Sequence, residues 1–149
     1  MSRKKPVDQM SLKIESRSVN ESFARVAVSA FAAQQDPTVE EISDIKTAVS
    51  EAVTNCIVHA YPASVGEIYI WVGLFDDGLV RIRIRDRGCG IIDVRQAMEP
   101  LFTTKPELER SGLGFAVMES CCDKVKVSSK VGKGTTVTLT FRFEKRVLK

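Results

Sequence analysis

Glu51, Asn55 and His59 recur at four-residue spacing, and three glycine-bearing turns come after them: Asp86-Arg87-Gly88-Cys89-Gly90, Ser111-Gly112-Leu113-Gly114-Phe115 and Gly132-Lys133-Gly134-Thr135-Thr136. Residues four apart share one face of a helix, so a carboxylate, a carboxamide and an imidazole project along one edge. The carboxamide of Asn55 offers a neutral oxygen to a hard cation such as Mg²⁺. The carboxylate of Glu51 can take a proton from an attacking hydroxyl or water. Asp86 ends a strand-like stretch, where an acid can accept a hydrogen bond from an exocyclic amine and so select adenine. Gly88 and Gly90 lack a Cβ and let the backbone approach a flat base. Gly112 and Gly114 open a helical segment whose free N–H groups and positive dipole end suit phosphates. The spacing is not that of Walker A, which requires Gly-Lys-Ser/Thr. Taken together, these residues describe a nucleotide pocket built without a P-loop.

Each feature alone has a plainer explanation. A Glu-x-x-x-Asn pair is most often the solvated face of an amphipathic helix. Asp-x-Gly-x-Gly is also an ordinary strand-ending turn, and the two later glycine turns are also a helix start and a β-turn. His59 is read as a helix-terminal or core residue. The order of the motifs is what favours the pocket. Between the first two turns, Leu101 to Arg110 is polar and carries Lys105 and Arg110, as expected of a lid closing over a triphosphate, with both cations candidates for the γ-phosphate.

The elements that must position these residues are legible in the pattern. Residues 1–9 read as a flexible tail and 10–149 as a single domain. Leu12 and Ile14 alternate with polar residues as in a short strand. Asn20 to Gln35 has helical spacing at Phe23, Val26, Ala27, Ala30 and Phe31, with Ser18 and Asn20 as candidate caps. Thr38-x-x-Glu41 reads as a capping box for a long helix whose apolar stripe runs from Ile42 through Val49 and Val53 to Ile57, ending near Ala60. Ile68 to Val72 and Val80 to Ile84 read as strands joined by an Asp76-Asp77-Gly78 turn. Arg81, Arg83 and Arg85 face away from Val80, Ile82 and Ile84, so one sheet side is packed and the other wet. Short helices at 93–98 and 112–122 and strands at 125–128 and 136–143 complete a two-layer α/β sandwich.

Composition sets the limits. The chain has 149 residues, 44% hydrophobic and 28% charged, with a net charge of +3. This suits one domain with a real core. Lys and Arg are spread among nearly as many acids, so no nucleic-acid partner is expected. No stretch nears the roughly 20 apolar residues of a membrane span, and no signal peptide is recognisable, so a cytoplasmic location is expected. Of four cysteines, Cys121 and Cys122 are adjacent and Cys56 and Cys89 isolated, which predicts free thiols and no metal-type spacing.

Glu51-x-x-x-Asn55, Asp86-x-Gly88-x-Gly90, Gly112-x-Gly114 and Gly134-Thr135 resemble the four nucleotide-binding boxes of the GHKL superfamily, which includes gyrase and the histidine kinases. The fold this implies is the Bergerat ATP-binding sandwich, with a mixed, mostly antiparallel sheet and helices on one face. More closely, Asn20 to Val26, Glu51 to Asn55 and Leu101 to Gly114 resemble the anti-sigma-F factors of endospore-forming bacteria over nearly the whole chain after residue 10. The lid run Leu-Phe-Thr-Thr-Lys-Pro-Glu-Leu-Glu-Arg-Ser-Gly is the most specific of these segments.

That resemblance implies sequestration of a sporulation sigma factor, sigma factor F, and ATP- and Mg²⁺-dependent phosphorylation of a serine on an anti-anti-sigma factor. It implies that Glu51 is the catalytic base, Asn55 the Mg²⁺ ligand and Asp86 the adenine acceptor. Gly88, Gly90, Ser111, Gly112, Leu113, Gly114 and Thr135 would line the nucleotide, and Thr104, Lys105 and Arg110 would belong to the lid. Arg25 matches the partner-contacting arginine, and a homodimer is implied. The length leaves no room for a phospho-accepting helical hairpin or a transducer domain, so the pocket is expected to act on or through another protein. A related general-stress switch kinase and a non-enzymatic nucleotide-dependent binding module remain as alternatives. The first shares the pocket but not the lid sequence; the second needs no base at position 51.

Overall fold

The computed structural model of the chain describes residues 5–99 and 114–143. A five-stranded sheet carries the helices on one side. Its strands are β1 (Asp8–Glu15), β2 (Glu67–Leu74), β3 (Leu79–Asp86), β4 (Lys124–Lys130) and β5 (Gly134–Arg142), in the order β1-β2-β3-β5-β4. All four pairings are antiparallel, so the expected mixed sheet is corrected to a purely antiparallel one among the described residues. Short hairpins suffice to join β2 to β3 and β4 to β5, and antiparallel pairing is the geometry they permit. Gly78 at the first of these turns adopts φ +83°, a conformation that strains any residue with a Cβ.

Strand alternation splits the sheet as the sequence predicts. Ile68, Ile70 and Val72 of β2 and Val80, Ile82 and Ile84 of β3 are buried beneath the helices. Each such side chain contributes roughly 1.5–3 kcal/mol by leaving water. The opposite face carries Tyr69, Trp71, Arg83 and Arg85 and stays solvated.

Helix α1 (Val19–Ala32) differs from its expected phase. Its buried positions are Ala24, Val28, Ser29 and Ala32, whereas Phe23 is 51% and Val26 57% exposed. The small residues let α1 lie close against the helix that follows it, α2 (Val39–Asn55), and the sheet, and that close approach outweighs the larger side chains on the other face. Ser18 precedes the helix without a side-chain cap, and the Asn20 amide instead donates to the Glu15 carbonyl at 2.9 Å. The tail is also shorter than expected. Asp8 and Gln9 pair with Leu74 and Gly73, because the free edge of β2 supplies backbone partners that local propensity cannot reveal.

The capping box forms as expected. Glu41 N–H donates to Thr38 Oγ1 at 3.0 Å and Thr38 N–H to Glu41 Oε1 at 2.8 Å, opening α2 (Val39–Asn55). Its stripe of Ile45, Ala48, Val49, Ala52 and Val53 faces the core. Past Asn55 the helix widens into a π-helical turn, Cys56–Ala60, closed by the Tyr61 N–H donating to the Cys56 carbonyl at 3.1 Å. Two further helices, α3 (Val94–Ala97) and α4 (Gly114–Cys121), flank the undescribed stretch 100–113, and α4 packs along α2. Among the described residues no helix is long and apolar enough to cross a membrane.

Candidate functional site

Asp86 is the hub of the site. It closes β3 with only 6% exposure. Its Oδ1 accepts the Gly88 N–H at 2.9 Å and the Thr135 N–H at 3.2 Å, while Oδ2 lies 3.6 Å from the Cys56 thiol. Three segments therefore converge on one carboxylate: the first glycine turn, the start of β5 and the end of α2. Burial raises the Asp86 pKa above the ordinary aspartate value, opposed by the hydrogen bonds from Gly88, Thr135 and Cys56. The Cys56 thiol is pushed well up in turn, first by burial and then by the Asp86 charge, so it remains a neutral S–H donor.

The glycines close this arrangement. A Cβ on Gly88 would run into the Ala60 carbonyl, and one on Gly90, which has φ +80°, into the carbonyl of Lys130. Gly134, at φ +123°, would strike the Asp86 carbonyl oxygen. These glycines let the first turn pack between the π-helical turn and the β4–β5 turn, a protein-to-protein role beyond the approach to a base expected from the sequence. We expect Gly134→Ala to destabilise the fold by roughly 1–3 kcal/mol. Thermal unfolding checks this, as a fall of at least about 3 °C in Tm; an unchanged Tm means the β4–β5 turn relaxes freely.

Tyr61, Ser129 and Cys56 also serve the site, and sequence reasoning did not assign them to it. Tyr61 Oη accepts the Arg87 N–H at 2.6 Å and donates to the Glu67 carbonyl at 2.7 Å, clamping the first turn onto the start of β2. Ser129 Oγ accepts the Ile91 N–H at 2.8 Å and lies 2.7 Å from Thr135 Oγ1. From the sequence, Cys56 is only an isolated cysteine expected to be a free thiol. No local signal distinguished these residues, since each acts on a segment at least 5 positions away.

Glu51 and Asn55 lie on α2 and are half-buried, with Asn55 its last residue. Glu51 faces α4 closely enough for its charge to help Asp44 push the Cys121 thiol up, behind the larger effect of burial. Asn55 immediately precedes Cys56 and so sits beside the Asp86 hub. A carboxamide oxygen at this point suits a hard cation. His59 lies in the π-helical turn, where its carbonyl accepts from the Cys89 thiol at 3.1 Å, consistent with the plain reading of that residue.

Arg25 is half-buried on α1. Its Nη1 donates to Glu21 Oε1 at 3.1 Å and to Ser50 Oγ at 3.4 Å, which brings α1's arginine beside the residue preceding Glu51. Gly114 opens α4 and is buried. Thr104, Lys105, Arg110, Ser111, Gly112 and Leu113 lie outside the described residues. All four cysteines are free. The Cys122 thiol is pushed up to about 12, chiefly by burial and then by the charges of Cys121, Asp123 and Asp44.

The Lys and Arg residues that look dispersed along the chain are gathered by the sheet. Arg81, Arg83 and Arg85 of β3 stand beside Thr140, Thr138 and Thr136 of β5, which stand beside Lys124, Lys126 and Ser128 of β4.

Residues 14–141 match the family described as the histidine kinase-like ATPase domain. The anti-sigma F factor of Geobacillus thermodenitrificans is 54% identical over 132 residues, covering 89% of this chain and 90% of that protein. That of Caldanaerobacter subterraneus is 56% identical over 133 residues, covering 89% and 92%. Among solved structures, the RsbU and RsbW domains of a Mycobacterium tuberculosis protein superpose with a TM-score of 0.67 at 24% identity, over 93% of this chain and 32% of that one. A blue-light activated histidine kinase from Erythrobacter litoralis superposes at 0.57 and 19% identity, over 83% and 60%. The two superpositions speak to the fold.

Proposed function

Because the chain belongs to the anti-sigma F factors, within the histidine kinase-like ATPases, we propose that it binds and inhibits sporulation sigma factor F. We also propose that it transfers the γ-phosphoryl of ATP to a serine of an anti-anti-sigma factor, working in the cytoplasm as a homodimer. Glu51 takes the proton of the attacking serine hydroxyl. Asp86 accepts the exocyclic amine of adenine, with Gly88, Gly90 and Thr135 around the base, and Gly112 and Gly114 receive the phosphates. Thr104, Lys105 and Arg110 close over the triphosphate. The oxygen of Asn55 would hold Mg²⁺, which neutralises phosphate charge when bound.

The observation that best supports this reading is the contact between Arg25 and Ser50. A partner that docks on Arg25 stands beside the helix that carries Glu51, so one surface serves both capture and chemistry. Incubation with γ-labelled ATP, Mg²⁺ and an anti-anti-sigma protein tests it: label on a substrate serine is expected, and nucleotide binding without transfer would overturn the kinase assignment.

Arg25→Glu is expected to weaken sigma capture at least tenfold in a pull-down while ATP affinity stays within twofold. Its ion pair with Glu21 is a partly exposed i,i+4 pair, contributing only about 0.3–0.5 kcal/mol, so the fold should tolerate the change. Normal sigma capture by this variant would remove Arg25 from the interface.

A further inference from the structure

We propose that the solvated face of the sheet binds single-stranded nucleic acid through its phosphates. The register builds a cationic field there. Along β3, Arg81, Arg83 and Arg85 recur every second residue, about 6.6–6.8 Å apart. Two strands away, roughly 10 Å across the sheet, Lys124 and Lys126 stand in the same cross-strand rows as Arg81 and Arg83, with the hydroxyls of Thr136, Thr138 and Thr140 between. None of these five cations forms an ion pair among the described residues. The carboxylates lie at the two ends of the face: at one, Glu67 pairs with Lys13 at 3.2 Å and Glu15 with Arg17 at 2.9 Å, and at the other Asp77 pairs with Arg142 at 3.5 Å. A modest net charge of +3 thus becomes a concentrated one-sided field.

The guanidinium groups are held in place. Arg83 lies 4.9 Å above the Trp71 ring, and Arg85 and Arg87 lie 4.8 and 4.9 Å above that of Tyr69. The Trp71 indole N–H donates to Gln9 at 2.8 Å, and its ring lies across Gly73, where any side chain would collide with it. Ring-backed guanidiniums are pre-organised to present their N–H forks outward to phosphate.

Two hollows flank Arg85 on this face. One, about 430 Å³, runs over Ser11, Lys13, Tyr69, Trp71 and Arg83. The other, about 470 Å³, is lined by Arg85, Arg87, Ser128, Lys130, Lys133 and Thr136 and also by Asp86, Ser129 and Thr135 of the candidate nucleotide site. A strand crossing from one to the other would set phosphates among the cations and bases against the guanidinium planes that cover the rings.

Side-chain chemistry selects this occupant over a protein. Protein interfaces deplete charge, and lysine above all, at their centre. Here Lys124, Lys126, Ser128 and three threonines stand beside the arginines, types that contact phosphates, with Tyr69 and Trp71 lying beneath guanidinium groups, while exposed apolar side chains such as Phe23 and Val26 lie on α1. The face is flat and offers no helix or ribbon to enter a duplex groove.

The test uses the full chain with fluorescein-labelled 20-mers of oligo-dT and oligo-U. Binding is read by anisotropy and by quenching of Trp71, the sole tryptophan. Four or five phosphate contacts predict a fall in affinity of roughly 50- to 130-fold between 50 and 200 mM salt. Saturating Mg²⁺-ATP, which shares Asp86 and Thr135 with the second hollow, should weaken binding by no more than about twofold, because most of the cations lie along β3 and β4 beyond that hollow. The R81Q/R83Q/R85Q variant should bind at least tenfold more weakly at 50 mM salt, with the slope of log affinity against log salt shallower by about 2, and K124Q/K126Q should lose a smaller share. Calorimetric ATP binding by both variants reports that they fold. Salt-independent binding, displacement by ATP, or full affinity in the triple variant would overturn the proposal. Equal binding of a 20-base-pair duplex would overturn the single-strand assignment. Displacement by polyglutamate at equal charge would assign the face to an acidic protein segment.

Discussion

Replacing Glu51 by alanine is expected to slow phosphoryl transfer to the anti-anti-sigma substrate roughly 10²- to 10⁴-fold, the usual share of a general base. ATP binding and sigma capture should stay within about twofold. Position 51 lies inside α2, where alanine is the best helix former, so the helix should persist. The adenine acceptor and the partner arginine are carried by other residues, and among the described residues their hydrogen bonds run to Gly88, Thr135 and Cys56 and to Glu21, Ser22 and Ser50. Single-turnover transfer measured beside calorimetric ATP binding separates the effects. A parallel loss of both would show that Glu51 holds the nucleotide instead of activating the serine.

The second large effect is expected at Asp86. Asp86→Ala removes the acceptor of two N–H groups, one of them buried. It should therefore abolish detectable ATP binding and also destabilise the fold, by about 1–3 kcal/mol for each donor left unsatisfied. Asp86→Asn separates the two losses. Its Oδ1 can still accept from Gly88 and Thr135, but an amide N–H₂ replaces Oδ2, giving up only the weak bond from the Cys56 thiol, and meets the adenine amine donor to donor. We expect near-native stability and an ATP affinity lowered roughly 10- to 150-fold, the equivalent of a charge-assisted hydrogen bond of 1.5–3 kcal/mol. Retained affinity in calorimetry would reject Asp86 as the adenine acceptor.

Acidification gives the same residue a second signature. Burial raises the folded-state pKa of Asp86, and the amine needs the carboxylate form. Wild-type ATP affinity should therefore be full near neutrality and fall as pH drops through a midpoint above the ordinary aspartate value. The linked stability runs the other way. Folding favours the protonated acid, so this contribution is present at low pH and lost as pH rises through the raised pKa. The Asn variant should show neither dependence, which titration of affinity and of Tm against pH would reveal.

The candidate pocket was largely legible because its parts are local. The Thr38–Glu41 box, the four-residue spacing of Glu51 and Asn55, the Asp76-Asp77-Gly78 turn and the alternation along residues 80–84 each depend on neighbours within a turn or two. The phase of α1 was not legible. Phe23 and Val26 have helical spacing, yet the helix buries Ala24, Val28 and Ala32, because closeness to α2 and the sheet decides which face packs. The start of β1 at Asp8 depended likewise on a partner strand roughly sixty residues away.

The sequence by itself determined the chemistry: which side chains can accept adenine, bind a cation or remove a proton, and which stretches can be helix or strand. These follow from residue type and short-range period. Tertiary structure alone decided that Cys56, Gly88 and Thr135 meet on one carboxylate, that Tyr61 clamps the first glycine turn, and that arginines and lysines from separate strands stand in common rows. Those arrangements rest on strand register and helix docking, where contacts between distant segments select one arrangement among many that local preference allows.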